Sequence, residues 1–300
     1  GNQRMRNKAL CIHGHFYQPA REDPLTGKIP IEEGAAPYPN WNLCILDQCY
    51  APNARQKNFE RISFNIGPTL LNWMAMQDPP TAAAIIEQDL ENVARFGFGN
   101  AMAQSYHHTI LPLAPRRDKV TQVRWGIADF EVRFGHKPLG MWLPETAVDL
   151  ETLEVLAECG IEFTILAPWQ AARQPLDPTR PYRVELPGGK AITVFFYHQG
   201  LSTTVSFNPA ATSNADSFLR EWILPLFRAD ERPEVLLIAS DGELYGHHQR
   251  FRDKFLAYLT GVGVKDHRIH LTFPALWLKE HPAEETMEVL NGTSWSCEHH

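Results

Sequence analysis

The sequence predicts an α/β protein built around one parallel β-sheet. Short apolar segments alternate with stretches of helical periodicity, which is the pattern of repeated βα units. Clusters of ionisable residues directly follow several of the apolar segments, as expected where strand ends form a site. Hydrophobic residues make up 44% and charged residues 21% of the 300-residue chain, so one large core can be buried.

Eight short segments are predicted to be buried strands, because they are apolar on both faces. They cover residues 9–13, 62–66, 101–105, 139–143, 162–166, 192–197, 235–239 and 269–273. Periodicity alone does not decide between a closed barrel and a doubly wound sheet. No Gly-x-Gly-x-x-Gly motif follows a strand, which disfavours a dinucleotide-binding fold.

The segments between the strands carry start and stop signals for helices and turns. A helix is predicted to begin at Pro68, and another, within residues 148–160, is predicted to end at Gly160. Gly188 and Gly189 indicate a hairpin inserted before the sixth strand. Residues 20–60 are rich in Pro, Asn and Asp and are predicted to form a long irregular insertion.

Charge and cysteine content narrow the possible partners. The net charge of −7 leaves no basic excess to neutralise phosphates, which argues against nucleic acid or an anionic membrane. No Cys-x-x-Cys pair is present, so neither a disulfide framework nor a thiolate zinc site is predicted. The first residues lack the apolar region of a signal peptide, and no apolar run has the length of a membrane span. A cytoplasmic protein with reduced thiols is expected.

Two polar clusters follow the first and third predicted strands. His13, His15 and Gln18 lie at the end of the first strand, and His108 follows the third. Imidazole and amide groups at these positions could bind the hydroxyl groups of a sugar. The alternative is a polar loop at the sheet edge, and the His-x-His spacing alone is a weak indication of a metal site.

Two further clusters place acidic residues at strand ends. Glu145 follows an apolar strand that ends in Trp142-Leu-Pro, and Asp241, Glu243 and His247 follow the strand at 235–239. For Glu145 alone, a role as a charged partner of a helix N-terminus is the simpler alternative. For the second cluster, the alternatives are a metal-binding loop or a capped helix start.

Taken together, the strand-end clusters indicate carbohydrate chemistry. Cleavage of a glycosidic bond requires two carboxyl groups, one ionised and one protonated at the working pH. Because parallel strands end at the same edge of a sheet, Glu145 and Asp241 are the pair that this arrangement offers. Trp142 is the predicted stacking platform for a sugar ring.

At these positions the sequence resembles glycoside hydrolase family 57. The similar segments cover residues 13–19, 51–53, 62–71, 108–114, 116–135, 140–170 and 240–251, which together span nearly the whole chain. The resemblance implies a single parallel β/α barrel, of seven strands, with irregular loop insertions. It also implies that residues 1–280 form the catalytic barrel and that residues 281–300 begin a C-terminal segment that continues beyond this sequence.

The resemblance also assigns roles to the strand-end residues. Glu145 would be the nucleophile and Asp241 the general acid/base of a retaining enzyme that hydrolyses or transfers α-glycosidic bonds of α-glucans. Substrate binding would involve His13, His15, Gln18, His108, Trp142, Glu243 and His247. The partner would be an oligosaccharide or polysaccharide, and neither a metal nor another cofactor is expected. In a retaining enzyme the two carboxyl groups lie about 5–5.5 Å apart.

Two alternatives from other classes remain open at this point. The first is a metal-dependent hydrolase resembling zinc mannosidases or polysaccharide deacetylases, with ligands drawn from the same histidines and Asp241. No His-x3-5-His spacing supports it. The second is a non-catalytic sugar-binding module, against which the presence of both carboxylates argues.

Overall fold

The computed structural model describes residues 7–296. Eight of its eleven strands match the eight predicted segments: β1 (Lys8–Phe16), β2 (Ser63–Ile66), β3 (Ala101–Gln104), β4 (Met141–Trp142), β5 (Phe163–Leu166), β7 (Ala191–Phe196), β8 (Glu234–Asp241) and β11 (His270–Leu271). The three others are β6 (Tyr182–Glu185), β9 (Tyr245–Gly246) and β10 (Gln249–Arg250). The predicted strands are therefore confirmed.

The parallel strands form a curled sheet. Strands β8, β1, β2, β3 and β4 are parallel neighbours in that order, and β11 pairs with the beginning of β1. A parallel bridge between Gly140 and Phe163 leads from β4 to β5, which pairs with β7. Past the end of β7, the His198 amide donates to the Leu237 carbonyl of β8 at 2.8 Å. The fold class is thus α/β with a curled parallel sheet.

Twelve α-helices surround the sheet in the part of the chain from residue 7 to 296. They are α1 (Trp41–Ile45), α2 (Ala51–Arg55), α3 (Asn58–Arg61), α4 (Pro68–Gln77), α5 (Pro79–Phe96), α6 (Arg116–Phe134), α7 (Leu150–Glu158), α8 (Gln199–Phe207), α9 (Ala215–Phe218), α10 (Arg252–Tyr258), α11 (Val264–Asp266) and α12 (Pro274–Glu280). As predicted, one begins at Pro68, and α7 stops just before Gly160, which has a φ of 88°. No helix of this part is both long and apolar enough to cross a membrane.

Side chains of the strands alternate between two apolar clusters, one on each face of the sheet. On β1, Leu10 and Ile12 belong to the larger cluster, which contains the apolar faces of most helices. Ala9 and Cys11 belong to the smaller cluster on the inner face of the curl, together with Trp142. Because successive strand residues point to opposite faces, residues 13 and 15 also point inward.

The prediction for residues 20–60 is correct for its first half and wrong for its second. Residues 20–40 are mostly irregular, but residues 41–61 are largely helical. Asn40 caps α1 by accepting from the Leu43 amide at 2.9 Å. Within the helical stretch, Asn53 donates to the carbonyl groups of Cys49 and Tyr245, both at 2.8 Å. The asparagines therefore act as buried hydrogen-bonding groups instead of interrupting the helices.

The predicted hairpin is confirmed. Strand β6 pairs antiparallel with β7 across the turn that contains Gly188 and Gly189. The four cysteines within residues 7–296 are free, and Cys297 lies outside the described residues. The C-terminal segment, as far as residue 296, runs along the sheet edge and bridges to Val148, Ala171 and Arg183.

Candidate active site

The first strand places two histidines in a hydrogen-bonded network on the inner face of the sheet. His13 contacts Ser63 Oγ at 2.8 Å through Nδ1 and Asn65 Oδ1 at 2.9 Å through Nε2. The Asn65 amide nitrogen donates to His15 Nδ1 and to Gln104 Oε1, both at 2.7 Å. Because His15 Nδ1 accepts, a neutral His15 carries its proton on Nε2. In this tautomer the Nε2–H group can donate to a substrate hydroxyl.

Burial keeps both histidines uncharged. It lowers the pKa of His13 to about 4 and that of His15 to about 3, and the neighbouring histidines lower the pKa of His15 further. At neutral pH the two rings are therefore polar but neutral groups. They suit contacts with an uncharged ligand such as a sugar better than contacts with an anion.

Trp142 lies beneath these histidines and not at the surface of the site. Its ring stacks at 4.9 Å from His13 and 5.1 Å from His15, and the Trp295 ring meets it nearly edge-on at 5.7 Å. The side chain is 0% exposed, so neither face of the ring is open to a sugar. The predicted role of Trp142 as a stacking platform is not supported, because the ring forms the floor of the site.

The loop after β4 presents Glu145 in an unusual backbone conformation. Glu145 and Thr146 have φ values of 58° and 47°, in the left-handed region that non-glycine residues seldom adopt. Gln170 fixes the loop: its amide accepts from Thr146 Oγ1 at 2.9 Å and donates to the Thr146 carbonyl at 2.8 Å. The indole of Trp295 donates to Glu145 Oε2. Such strain is typical of functional loops held by their surroundings.

Asp241 is the last residue of β8 and stands opposite His15 in the β1–β8 register. Its side chain is solvent-exposed, yet the surrounding protein crowds it. This desolvation raises the pKa of Asp241, the nearby charge of Glu145 raises it further, and His248 opposes the rise. The two acids are therefore close enough to interact. The shift favours the protonated form, as a general acid requires.

Glu243 is deeply buried beside these acids, with 3% of its surface exposed. Its Oε1 accepts from the Tyr17 amide at 3.2 Å. Its Oε2 is buried without a hydrogen-bond partner within residues 7–296, and so is the Tyr50 hydroxyl. Burial raises the pKa of Glu243 well above its usual range, and Asp241 adds to the rise.

Glycine is required between the two acids of this loop. A Cβ atom on Gly242 would come within 2.4 Å of the Phe16 ring, which is fully buried. The close approach lets the loop after β8 pack directly on the end of β1, and thereby brings Asp241 and Glu243 next to the histidines.

The remaining predicted residues are distributed around this centre. Gln18 is half-buried and accepts from Arg21 Nη1 at 2.7 Å. His108 stacks on Tyr17 with ring centroids 3.9 Å apart, and its buried Nε2 has no partner among the described residues. His247 hydrogen-bonds Gln48 Oε1 at 2.8 Å.

Several residues of the site were not predicted from the sequence. Asn65 and Gln104 were visible as polar positions within otherwise apolar strands, and that contrast could have identified them. Gln170 and Trp295 carried no local signal, because they act on Glu145 or Thr146 from distant parts of the chain.

Among residues 7–296, no three His, Cys, Asp or Glu side chains are grouped so that they could hold a metal ion. The centre therefore consists of neutral histidines and carboxyl groups at the carboxyl edge of a curled parallel sheet. In class, the chain is an α/β protein with a curled parallel sheet that carries its polar site on the strand ends.

Comparison with known proteins identifies the family. The sequence profile of glycosyl hydrolase family 57 matches residues 46–290, and the chain belongs to this family. An α-amylase of Pyrococcus abyssi is 22% identical over 189 residues, which are 62% of this chain and 27% of the amylase. The chain thus spans about a quarter of the length of that curated relative.

Solved structures show the same fold. The crystal structure of 4-α-glucanotransferase from Thermococcus litoralis matches with a TM-score of 0.75 and 18% identity, over 97% of this chain and 43% of that one. The branching enzyme of Pyrococcus horikoshii, of the family 57 type, matches with a TM-score of 0.74 and 17% identity, over 96% of this chain and 73% of that one.

Proposed function

We propose that this chain is the catalytic part of a retaining glycoside hydrolase or glycosyl-transferring enzyme that acts on the α-glycosidic bonds of an α-glucan. One observation carries the proposal: in a family 57 chain, two carboxyl groups border His15 at the same edge of the sheet. Asp241 stands in register with His15, and Glu145 is hydrogen-bonded to Trp295, whose ring contacts His15. Two carboxyl groups at one site are what this chemistry requires, and the raised pKa of Asp241 suits the acid. Relatives named α-amylase and 4-α-glucanotransferase support the substrate class.

The proposed reaction has two steps. Asp241 protonates the glycosidic oxygen while Glu145 attacks the anomeric carbon, which gives a covalent glycosyl-enzyme and a free leaving sugar. Asp241, now ionised, then removes a proton from water or from an acceptor sugar, which displaces Glu145. His15 would donate from Nε2 to a sugar hydroxyl, and His13, Gln18, His108, Glu243 and His247 would complete or support the binding surface.

The architecture proposed for this activity is a closed barrel. Seven mutually parallel strands, β1, β2, β3, β4, β5, β7 and β8, would form it. The Gly140–Phe163 bridge and the hydrogen bond from His198 to Leu237 support closure. Residues 1–280 would constitute the barrel and residues 281–300 the start of a C-terminal segment. The free thiols at the four described cysteines fit a cytoplasmic location.

The proposal is tested by assaying the full-length enzyme on soluble starch and maltooligosaccharides, with and without an acceptor sugar. Glu145→Gln and Asp241→Asn should each lower kcat about a thousandfold or more, because each removes a reacting group. Glu145→Gln should still bind the oligosaccharide. Glu185→Gln, which changes an exposed carboxylate on β6, is the matched control and should keep full activity.

The stereochemistry of the first product separates retention from inversion. Proton NMR of the fresh product should show the α-anomer. A β-anomer, or an active Glu145→Gln variant, would exclude the double-displacement mechanism. Family membership favours the glycoside hydrolase over the metal-dependent alternative.

A further inference from the structure

The C-terminal segment crosses the edge of the sheet at which the candidate site lies. Between residues 284 and 296 it makes a series of backbone hydrogen bonds, and we call this segment the strap. The Met287 amide donates to the carbonyl of Arg183 at 3.0 Å, and that of Leu290 to the carbonyl of Gln170 at 2.8 Å. Further along, the carbonyl of Thr293 accepts from Val148 at 2.9 Å. The strap is therefore fixed to three separate parts of the sheet edge.

The strap ends at Glu145. The Trp295 amide donates to the Glu145 carbonyl at 3.1 Å, and the Trp295 indole donates to Glu145 Oε2. The ring is half-buried and stands nearly edge-on to both His15 and Trp142. Trp295 thus holds Glu145 through both its backbone and its side chain.

The strap also supports the strained backbone of the same loop. Thr293 Oγ1 accepts from Gln170 Nε2 at 3.3 Å, and the same nitrogen donates to the Thr146 carbonyl at 2.8 Å. Two consecutive non-glycine residues with positive φ need such external contacts to stay in place. The Glu145 loop is therefore held on one side by the body of the sheet and on the other by the strap.

We infer that Trp295 is a positioning residue for the Glu145 carboxylate, and that the strap exists at this edge to deliver it; this inference rests on the proposed function. The indole N–H occupies Oε2 and fixes the rotation of the carboxyl group. Oε1 is left to form the bond to the anomeric carbon.

Trp295→Phe in the full-length enzyme tests the inference, because it removes the N–H group and keeps most of the ring. We expect kcat to fall about tenfold to a hundredfold, the range given by losing one hydrogen bond to a charged group. KM should stay within about twofold, since the loss affects the reacting carboxylate and not the sugar contacts. With kcat expressed per folded molecule, a merely structural role for Trp295 would not separate kcat from KM in this way.

Trp169→Phe is the matched control. Its indole also binds the strap, donating to the Ser294 carbonyl at 3.0 Å, but it does not reach Glu145. This variant should keep kcat and KM close to those of the parent enzyme. A parent-like kcat in Trp295→Phe would overturn the inference. So would an equal fall in kcat in Trp169→Phe.

If the parent enzyme shows no activity on any α-glucan, the proposed function fails, but the contact between Trp295 and Glu145 can still be tested. A second measurement, which does not depend on activity, serves this purpose. Melting temperatures of Trp295→Phe, Glu145→Ala and the double variant form a cycle that reports their coupling. We expect the double variant to melt at a higher temperature than the sum of the two single shifts predicts. Strictly additive shifts would show that the two side chains do not interact, and the inference would fail.

Discussion

The two ends of the β1–β8 strand pair differ in whether their buried charged or ionisable groups have partners. At the amino end, Lys8 stands in register with Glu234, and at the carboxyl end His15 stands in register with Asp241. Lys8 Nζ contacts Glu234 Oε1 at 2.6 Å, the Arg232 carbonyl at 2.8 Å and Asp230 Oδ1 at 3.1 Å. All three donors of this ammonium group are used.

At the carboxyl end of the strand pair, by contrast, several buried polar groups have no hydrogen-bond partner among the described residues. Glu243 Oε2, the Tyr50 hydroxyl, Trp142 Nε1 and His108 Nε2 are buried and lack partners among residues 7–296. Burying an unpaired polar group costs free energy, so a fold retains such groups where a ligand or a reaction uses them. The contrast indicates that the amino end stabilises the fold and the carboxyl end is kept available for chemistry.

The largest expected effect on stability comes from removing the buried Lys8–Glu234 ion pair at the amino end of the strand pair. Lys8→Met preserves side-chain shape but leaves Glu234, 1% exposed, as an unpaired buried carboxylate. We expect a loss of about 3–5 kcal/mol in the free energy of unfolding, measured by urea titration. Removing one partner of the exposed Arg220–Asp216 pair, by Arg220→Ala, should cost far less, because solvent screens an exposed ion pair. Similar losses in the two variants would mean that the buried cluster has no special role.

The same contrast explains how much of the molecule the sequence could predict. The eight strands were found because buried parallel strands are short and apolar on both faces. The positions of Glu145, Asp241 and the histidines at strand ends followed from that assignment. Residues 41–61 were misassigned because Pro and Asn were interpreted as loop formers, whereas the buried amide of Asn58 bonds to the Asp253 carbonyl at 3.1 Å.

Contacts between distant segments were beyond the reach of local patterns. Trp295 contacts Glu145 across 150 residues of sequence, and the residues around neither one predict this contact. The positive φ of Glu145 is likewise imposed by surrounding contacts, since its local sequence contains no glycine. The burial of Trp142 was missed for the same reason, because the histidines and the strap cover it only in the folded chain.

An effect of intermediate size is expected for the change of the free energy of unfolding with pH. Unfolded histidine has a pKa of roughly 6.5, whereas burial lowers the pKa of His15 to about 3. Below roughly pH 6.5 the unfolded chain binds a proton at His15 that the folded protein does not bind. The free energy of unfolding therefore decreases as the pH falls. His15 alone should contribute a slope of up to about 1.4 kcal/mol per pH unit between pH 6 and roughly 4.

The contribution of His15 to the pH dependence of stability can be measured by comparing the parent protein with a variant. Asp241 and Glu243, whose pKa values are raised, oppose the trend, but both stay in place when His15 is replaced. Between pH 7 and 5, His15→Gln should therefore lose less stability than the parent protein in parallel urea titrations. Replacing the exposed His107 by Gln is the control and should leave the slope unchanged. Parallel curves for the parent and His15→Gln would show that His15 takes up its proton as readily in the folded protein as in the unfolded chain.

The smallest expected effect distinguishes the two buried glutamates. Burial raises the pKa of Glu243 and so favours its neutral acid, which glutamine imitates in shape and charge. The amide oxygen can still accept from Tyr17, and the amide nitrogen can donate toward the Tyr50 hydroxyl. Glu243→Gln should therefore change the free energy of unfolding at pH 7 by less than about 1 kcal/mol. Glu234→Gln, the matched change at the amino end, removes the anion that Lys8 needs and should cost several times more, on the order of 3 kcal/mol. Equal costs would mean that Glu243 is also buried as an anion, and the distinction between a charge-paired end and a neutral, chemically available end would no longer hold.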